Sequence, residues 1–192
     1  MIVEPLIRKQ QAGFRPAKSC VDLINTLRII IEQLVEWRSP LYLLFIDYQV
    51  AFDSLNRDCI WIALQNRGLP EKIISVIRKL YDGFQCRVLH DGQLSEPFPT
   101  TSGVRQGCML SPLIFLVVLD EVTRGALDGK NRGIQWKLME SLEDLDFADD
   151  IVLMSHRLSD IQRKTNDLVT ESAKVGLRVN TVKRTSPQQH LN

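Results

Sequence analysis

Apolar residues first recur at helical spacing at Leu23, Leu27, Ile30, Ile31 and Leu34, just after Ser19 and Asp22, which together read as a capping box. This predicts a helix ending near "WRSP". Residues 41 to 46, "LYLLFI", form an unbroken apolar run between Pro40 and Asp47, the pattern of a strand buried on both faces. Asp47 falls at its C-terminal end. Helical periodicity returns in "NRDCIWIALQNRGL" and "PEKIISVIRKLYDG", with Gly68 as a stop and Pro70 near the next start. "FQCRVLH" and "QLSEPF" then flank Asp91-Gly92, a pair suited to the positive φ values of a type I′ hairpin turn. The polar loop "TTSGVRQGCML" leads into an apolar helix, "LIFLVVLDEVTRGAL", with Ser111 as its N-cap and Pro112 at its first turn. Two apolar strands surround Ala148-Asp149-Asp150. A helix over about 160–175, a stop at Gly176 and a short strand "LRVN" follow.

The order is strand, helices, hairpin, helix, hairpin, helix, strand, which predicts an α+β fold: an antiparallel sheet covered on one face by helices. The other face would be open to a substrate. No repeat, low-complexity stretch or domain-dividing linker interrupts the chain.

Composition changes this picture little. The 192 residues are 44% hydrophobic and 24% charged, enough to bury a core. The longest apolar runs fall well short of the roughly 20 residues that span a bilayer, and the start lacks a secretion signal, so the expectation is a soluble, intracellular protein with no membrane partner. The 4 cysteines, Cys20, Cys59, Cys86 and Cys108, show no metal or disulfide spacing and are expected reduced and partly buried. A net charge of +1 does not announce a nucleic-acid binder. The ends are nevertheless basic, with Arg8, Lys9, Arg15 and Lys18 at one and Lys174, Arg178, Lys183 and Arg184 at the other. Alone, such clusters read as solvated surface.

The adjacent Asp149 and Asp150 pose the chemical question. Two carboxylates at a tight turn repel each other unless cations offset them. If the strand ending at Asp47 neighbours this hairpin, Asp47 and Asp149 converge, and hard oxygen ligands of this kind suit Mg²⁺. Two such ions serve in-line phosphoryl transfer. Taken alone, "ADD" is common and reads first as a structural turn.

Taken in order, "QAGFRPAKSC", "FIDYQVAFDS", "GVRQGCMLSPLIF", "LDFADDIVLM" and "VGLRVNTVK" resemble a fingers motif followed by motifs A, B, C and D of reverse transcriptases, and most closely those of non-LTR (LINE-type) retrotransposons. The resemblance covers about residues 8 to 185. It implies a right-hand polymerase palm with partial fingers and no thumb: 1–40 as a partial fingers segment, 41–185 as the palm, and 186–192 as an unassigned tail. It further implies RNA-directed DNA polymerase chemistry, with an RNA template, a DNA primer and dNTPs as partners, two Mg²⁺ ions (or Mn²⁺) as cofactors, and a nuclear location.

Residue by residue, the resemblance makes Asp47 and Asp149 metal ligands with Asp150 beside them, and Lys183 a candidate general acid near the leaving pyrophosphate. Phe52 resembles the steric gate that crowds a ribose 2′-hydroxyl. Arg105, Gln106 and Gly107 resemble nucleotide-binding residues, with Gly103 allowing close backbone approach, and Arg15 and Lys18 resemble template contacts. Asp53 reads as a helix N-cap. The chain departs from the family at Val50, where Lys is usual, at Met109, and in "KRT" after Val182.

The first finger motif, motif E and the thumb find no counterpart, so weak or absent activity is expected of this chain alone. Two rivals remain: a catalytically inactive nucleic-acid-binding remnant, and a palm-fold nucleotide cyclase, which would share the paired acids but not the "GVRQGC…SP" loop.

Overall fold

The computed structural model describes residues 7–137 and 140–180. Helix α1 (Cys20–Glu36) opens on the capping box read from the sequence: Ser19 Oγ accepts from the Asp22 backbone N–H and the Asp22 carboxylate accepts from Ser19 N–H. It closes without glycine. Arg38 takes φ 50°, and the Ser39 N–H donates to the Leu34 carbonyl at 2.9 Å, as in a Schellman turn.

Strands β1 (Tyr42–Ile46) and β2 (Tyr48–Gln49) follow, separated only by Asp47. After them come the short helix α2 (Ala51–Ser54) and helices α3 (Arg57–Asn66) and α4 (Glu71–Tyr81). Gly68 ends α3 as predicted, with φ 75° and its N–H on Gln65 while Leu69 N–H reaches Leu64. A ribbon is built from β3 (Gln85–Cys86), β4 (Leu89–His90), β5 (Gln93–Leu94) and β6 (Phe98–Pro99). Its tip is the expected turn, with His90 paired to Gln93 and positive φ at both Asp91 and Gly92.

Helix α5 (Ser111–Leu127) starts one residue earlier than read: Leu110 is the N-cap, and the buried Ser111 is the first helical residue, its hydroxyl 3.4 Å from that of Tyr81. A hairpin not foreseen from the sequence follows, β7 (Ile134–Lys137) and β8 (Glu140–Leu142). Then come β9 (Asp144–Phe147), β10 (Asp150–Ser155), α6 (Leu158–Lys174) and β11 (Arg178–Val179).

The main sheet is antiparallel with order β1-β10-β9, and β2 pairs separately with β11. Ile46 and Ile151 lie opposite each other, as do Leu44 and Leu153. Ile46, Ile151 and Leu153 are buried on the helical side among Phe115, Val118, Leu168 and their neighbours. The opposite face is not bare, because Ile30 and Leu34 of α1 cluster there with Leu145 and Met154. That cover is incomplete, which corrects the reading of 41–46 as buried on both faces: Phe45, on the second face, is 50% exposed. A run of apolar letters cannot tell a doubly covered strand from one whose second face lines a cleft. All 4 cysteines are free thiols; Cys20 is exposed and the other three are half-buried. No helix among the described residues is long and apolar enough to cross a membrane.

Candidate nucleotidyl-transfer site

Alternation along the strands sets the chemistry on the second face. Phe45 pairs with Val152 and Ile46 with Ile151, so the next step of the ladder holds Asp47 and Asp150 on the face that Phe45 shares. Asp47 and Asp150 line one cleft of about 450 Å³, together with Leu23 and Leu27 of α1, Phe45 and Phe147. Asp149 sits half-buried in the two-residue turn between Phe147 and Asp150. Of the two turn residues only Ala148 has positive φ, 55°. The three acids thus lie at the same end of the sheet. Among the described residues no group of three or more His, Cys, Asp or Glu side chains is gathered closely enough to hold a metal ion. The donor chemistry still suits a hard cation, since Mg²⁺ takes one or two carboxylates and fills its shell with water and phosphate oxygens.

Asp47 is held from beyond the sheet. Asn180 Nδ2 donates to its carboxylate at 3.1 Å, and Asn180 N–H donates to its backbone carbonyl at 2.7 Å. The β2–β11 pair, Tyr48 with Val179, carries Asn180 to this position. Tyr48 itself is buried, its hydroxyl 2.9 Å from Ser172 Oγ, and burial pushes that phenol above its ordinary range.

The loop "SGVRQG" is fastened to α2. Gly103 N–H donates to Leu55 and Val104 N–H to Phe52, at 2.7 and 2.8 Å. A Cβ at Gly103 would lie 2.6 Å from Asp53 Cα, so only glycine permits this approach. Gly107 has φ 80° but faces open space, so its glycine serves conformation and not close contact. Gln106 is exposed and donates to Asp53 Oδ2 at 2.8 Å. That contact corrects the N-cap assigned to Asp53, which lies inside α2; the N-cap is Val50, with φ 48° and no side-chain cap bond, and Asn56 caps α3. Arg105 donates to the Leu80 carbonyl and lies 3.9 Å over the Phe84 ring.

Phe52 is half-buried. Its ring stacks on the fully buried Phe115 at 4.5 Å, and it meets the exposed Phe14 edge-on at 6.4 Å. The gate candidate therefore rests one face on the core. Arg15 donates to the carbonyls of Arg8 and Gln11, and Lys18 is exposed. Lys183 lies outside the described residues.

Sequence reading missed what underlies the hairpin. Arg8, read as surface charge, is 6% exposed, its guanidinium donating to Asp144 and Asp146 of β9 and its N–H to Asp120 of α5. Burial first and the charge of Asp144 second raise the Asp146 carboxyl well above the carboxylate range, against the pull of Arg8. Lys164, also buried, donates to the carbonyls of Glu143 and Met154 and pairs with the Glu143 carboxylate at 2.6 Å. Burial holds its ammonium below the usual lysine range. Only the apolar letters around Asp144 and Asp146 hinted that these acids face inward.

Comparison with known proteins is consistent with this arrangement. A family model described as "Reverse transcriptase (RNA-dependent DNA polymerase)" matches residues 1–189. The Pol polyprotein of the type-2 retrotransposable element R2DM of Drosophila melanogaster is 27% identical over 174 residues, covering 91% of this chain and 16% of that protein. The Pol polyprotein of a type-1 element R2 of Nasonia vitripennis is 29% identical over 177 residues, covering 91% of the chain and 17% of its own length. The chain thus spans about a sixth of these relatives. Among solved structures, an apo telomerase from Candida tropicalis, truncated from its C-terminal domain, superposes with a TM-score of 0.72 at 17% identity over 96% of this chain and 37% of the telomerase. At that identity the likeness shows a shared fold.

Proposed function

Because this chain belongs to the reverse transcriptase (RNA-dependent DNA polymerase) family, we propose that it forms the palm, residues 41–185, and part of the fingers, residues 1–40, of a retrotransposon polymerase that extends a DNA primer on an RNA template. The observation that carries the reading is the register of Ile46 against Ile151, which brings Asp47 to the same sheet end as Asp149 and Asp150.

In this reading Asp47 and Asp149 hold Mg²⁺ or Mn²⁺, with Asp150 beside them. Held by these acids, two such ions would supply Lewis-acid activation of a primer 3′-hydroxyl and charge stabilisation for the departing pyrophosphate. The residues of this chain do the positioning. Asn180 donates to the Asp47 carboxylate and orients it toward the cation. Phe52, braced by Phe115, presents its edge where a ribose 2′-hydroxyl would collide. Gln106 and Gly107 offer an exposed loop to the incoming base, and Arg105 places a cation beside it. Lys183 supplies a proton to the leaving group. Arg15 commits part of its fork to backbone carbonyls, which makes the exposed Lys18 the better template contact of the two.

Primer extension on poly(rA)/oligo(dT) tests the reading. Weak, Mg²⁺-dependent extension is expected from the 192-residue chain, since metals alone do not align primer, template and triphosphate. Asp149→Asn should abolish it. Extension that survives Asp149→Asn would sink the assignment, and template–primer binding without any extension would favour a non-catalytic remnant.

A further inference from the structure

The turn that carries Asp149, closed by the pairing of Phe147 with Asp150, is also held from outside the hairpin. Ala148, its first residue, is left-handed at φ 55°, a conformation that costs a Cβ-bearing residue free energy. Its N–H donates to Gln11 Oε1 at 2.8 Å and its carbonyl accepts from Gln11 Nε2 at 3.0 Å. One side-chain amide thus grips both polar groups of one strained residue. Gln11 Oε1 also accepts from Gly13 N–H at 2.7 Å, which fixes the amide's orientation. Gln11 is 2% exposed. Gly13 is pressed so closely to the turn that a Cβ there would lie 2.2 Å from Ala148 N, leaving no room for another residue.

The segment bearing Gln11 is itself anchored. It runs beside β9, with Ala12 N–H on the Asp146 carbonyl at 2.8 Å and Asp146 N–H on the Gln10 carbonyl at 3.2 Å. Arg8 fastens its near end through the Asp144 and Asp146 carboxylates. Two independent anchors therefore converge on the strand and turn that present the acids.

We propose that Gln11 is a positioning residue for the carboxylates at 149 and 150: its amide clasps Ala148 so that the turn is set before any cation or nucleotide arrives. The proposal deepens the polymerase reading and rests on it for the role of those acids. The clasp itself stands on the hydrogen bonds alone. Side chains that orient ligands in this manner typically change metal affinity roughly 10–100-fold when removed.

The test combines amide exchange with Mn²⁺ titration of the labelled chain, following paramagnetic broadening at Asp149 and Asp150. In the unsubstituted protein the Ala148 amide and the Gln11 side-chain protons should be protected from exchange. Gln11→Ala should release Ala148 by about tenfold or more while β10 amides keep their protection, and should weaken Mn²⁺ binding at the turn by roughly 10–100-fold. Gln11→Glu keeps the acceptor and loses the donor. It should retain Ala148 protection yet lose Mn²⁺ affinity. An unprotected Ala148 in the unsubstituted chain overturns the clasp even if the variants do not fold. Loss of protection with unchanged Mn²⁺ affinity overturns the positioning role. If the unsubstituted chain binds no Mn²⁺ at the turn, the polymerase reading fails and the positioning role with it, while the exchange data still decide the clasp.

Discussion

Asn180 closes on Asp47 at two points, side chain on carboxylate at 3.1 Å and backbone on backbone at 2.7 Å, although 133 positions separate them. The backbone bond continues the β2–β11 pairing and would survive a side-chain change. Asn180→Ala therefore leaves the fold in place and removes one of the groups that orient the Asp47 carboxylate. The expected result is Mn²⁺ affinity lower by roughly tenfold with a thermal midpoint shifted only slightly. Unchanged affinity would show that the Asn180 amide does not set the carboxylate.

Val50 stores strain three residues after Asp47. It is β-branched, 67% exposed, at φ 48°, and caps α2 without a side-chain hydrogen bond. A left-handed residue with a Cβ costs about 1–2 kcal/mol, more so when branched. Val50→Gly should therefore stabilise the protein by about 1 kcal/mol in urea denaturation, which no loss of packing offsets at so exposed a site. A destabilised variant would mean that the Val50 side chain packs in a way its exposure hides.

What was legible in the sequence was local. The Ser19–Asp22 capping box, the Asp91-Gly92 turn and the glycine stops at Gly68 and Gly176 each depend on a few neighbouring residues, and each formed as read. The sequence placed Asp47 and Asp149 each beside an apolar strand, but that the two acids share a sheet end depended on β1 pairing with β10, which the order of elements does not fix. What could not be read depends on distant partners. Arg8 looks like solvated charge until Asp144 and Asp146, more than 130 positions away, are placed beside it. Asp53 looks like an N-cap until Gln106 arrives from the loop. The clasp of Gln11 on Ala148 has no compositional signal at all.

Phe52 carries two roles that one substitution separates. Its stacking on Phe115 contributes packing, while its edge toward Phe14 stands at the surface of the cluster. Phe52→Val should cost about 1–2 kcal/mol, less than the 3–5 kcal/mol of truncating a fully buried phenylalanine to alanine. In an extension assay the same variant should accept ribonucleotides more readily relative to dNTPs. A stability loss with unchanged sugar discrimination would return Phe52 to the core alone.

The buried charges beneath the hairpin predict an unusual dependence of stability on pH. Burial and the neighbouring Asp144 raise the folded-state pKa of Asp146 well above its unfolded value of about 3.9. The folded protein then binds that proton more tightly than the unfolded chain does. The resulting stabilisation is fully present below about pH 3.9 and is lost as pH rises through the folded-state value. Asp146→Asn removes the titrating group and the repulsion with Asp144, while Asp144 keeps its bonds to Arg8. The variant should match or exceed the native protein in stability near pH 8 and lose ground to it toward pH 4. Removing the cation has the opposite sign. Arg8→Leu leaves Asp144 and Asp146 buried without compensation, at a cost of about 3–5 kcal/mol near neutral pH, and acid should lessen the deficit by protonating them. Urea midpoints for the three proteins across pH 4–8 decide the matter. An Asp146→Asn penalty that is equal at both ends of that range would mean that Arg8 fully compensates an ionised Asp146, and that no proton is held there.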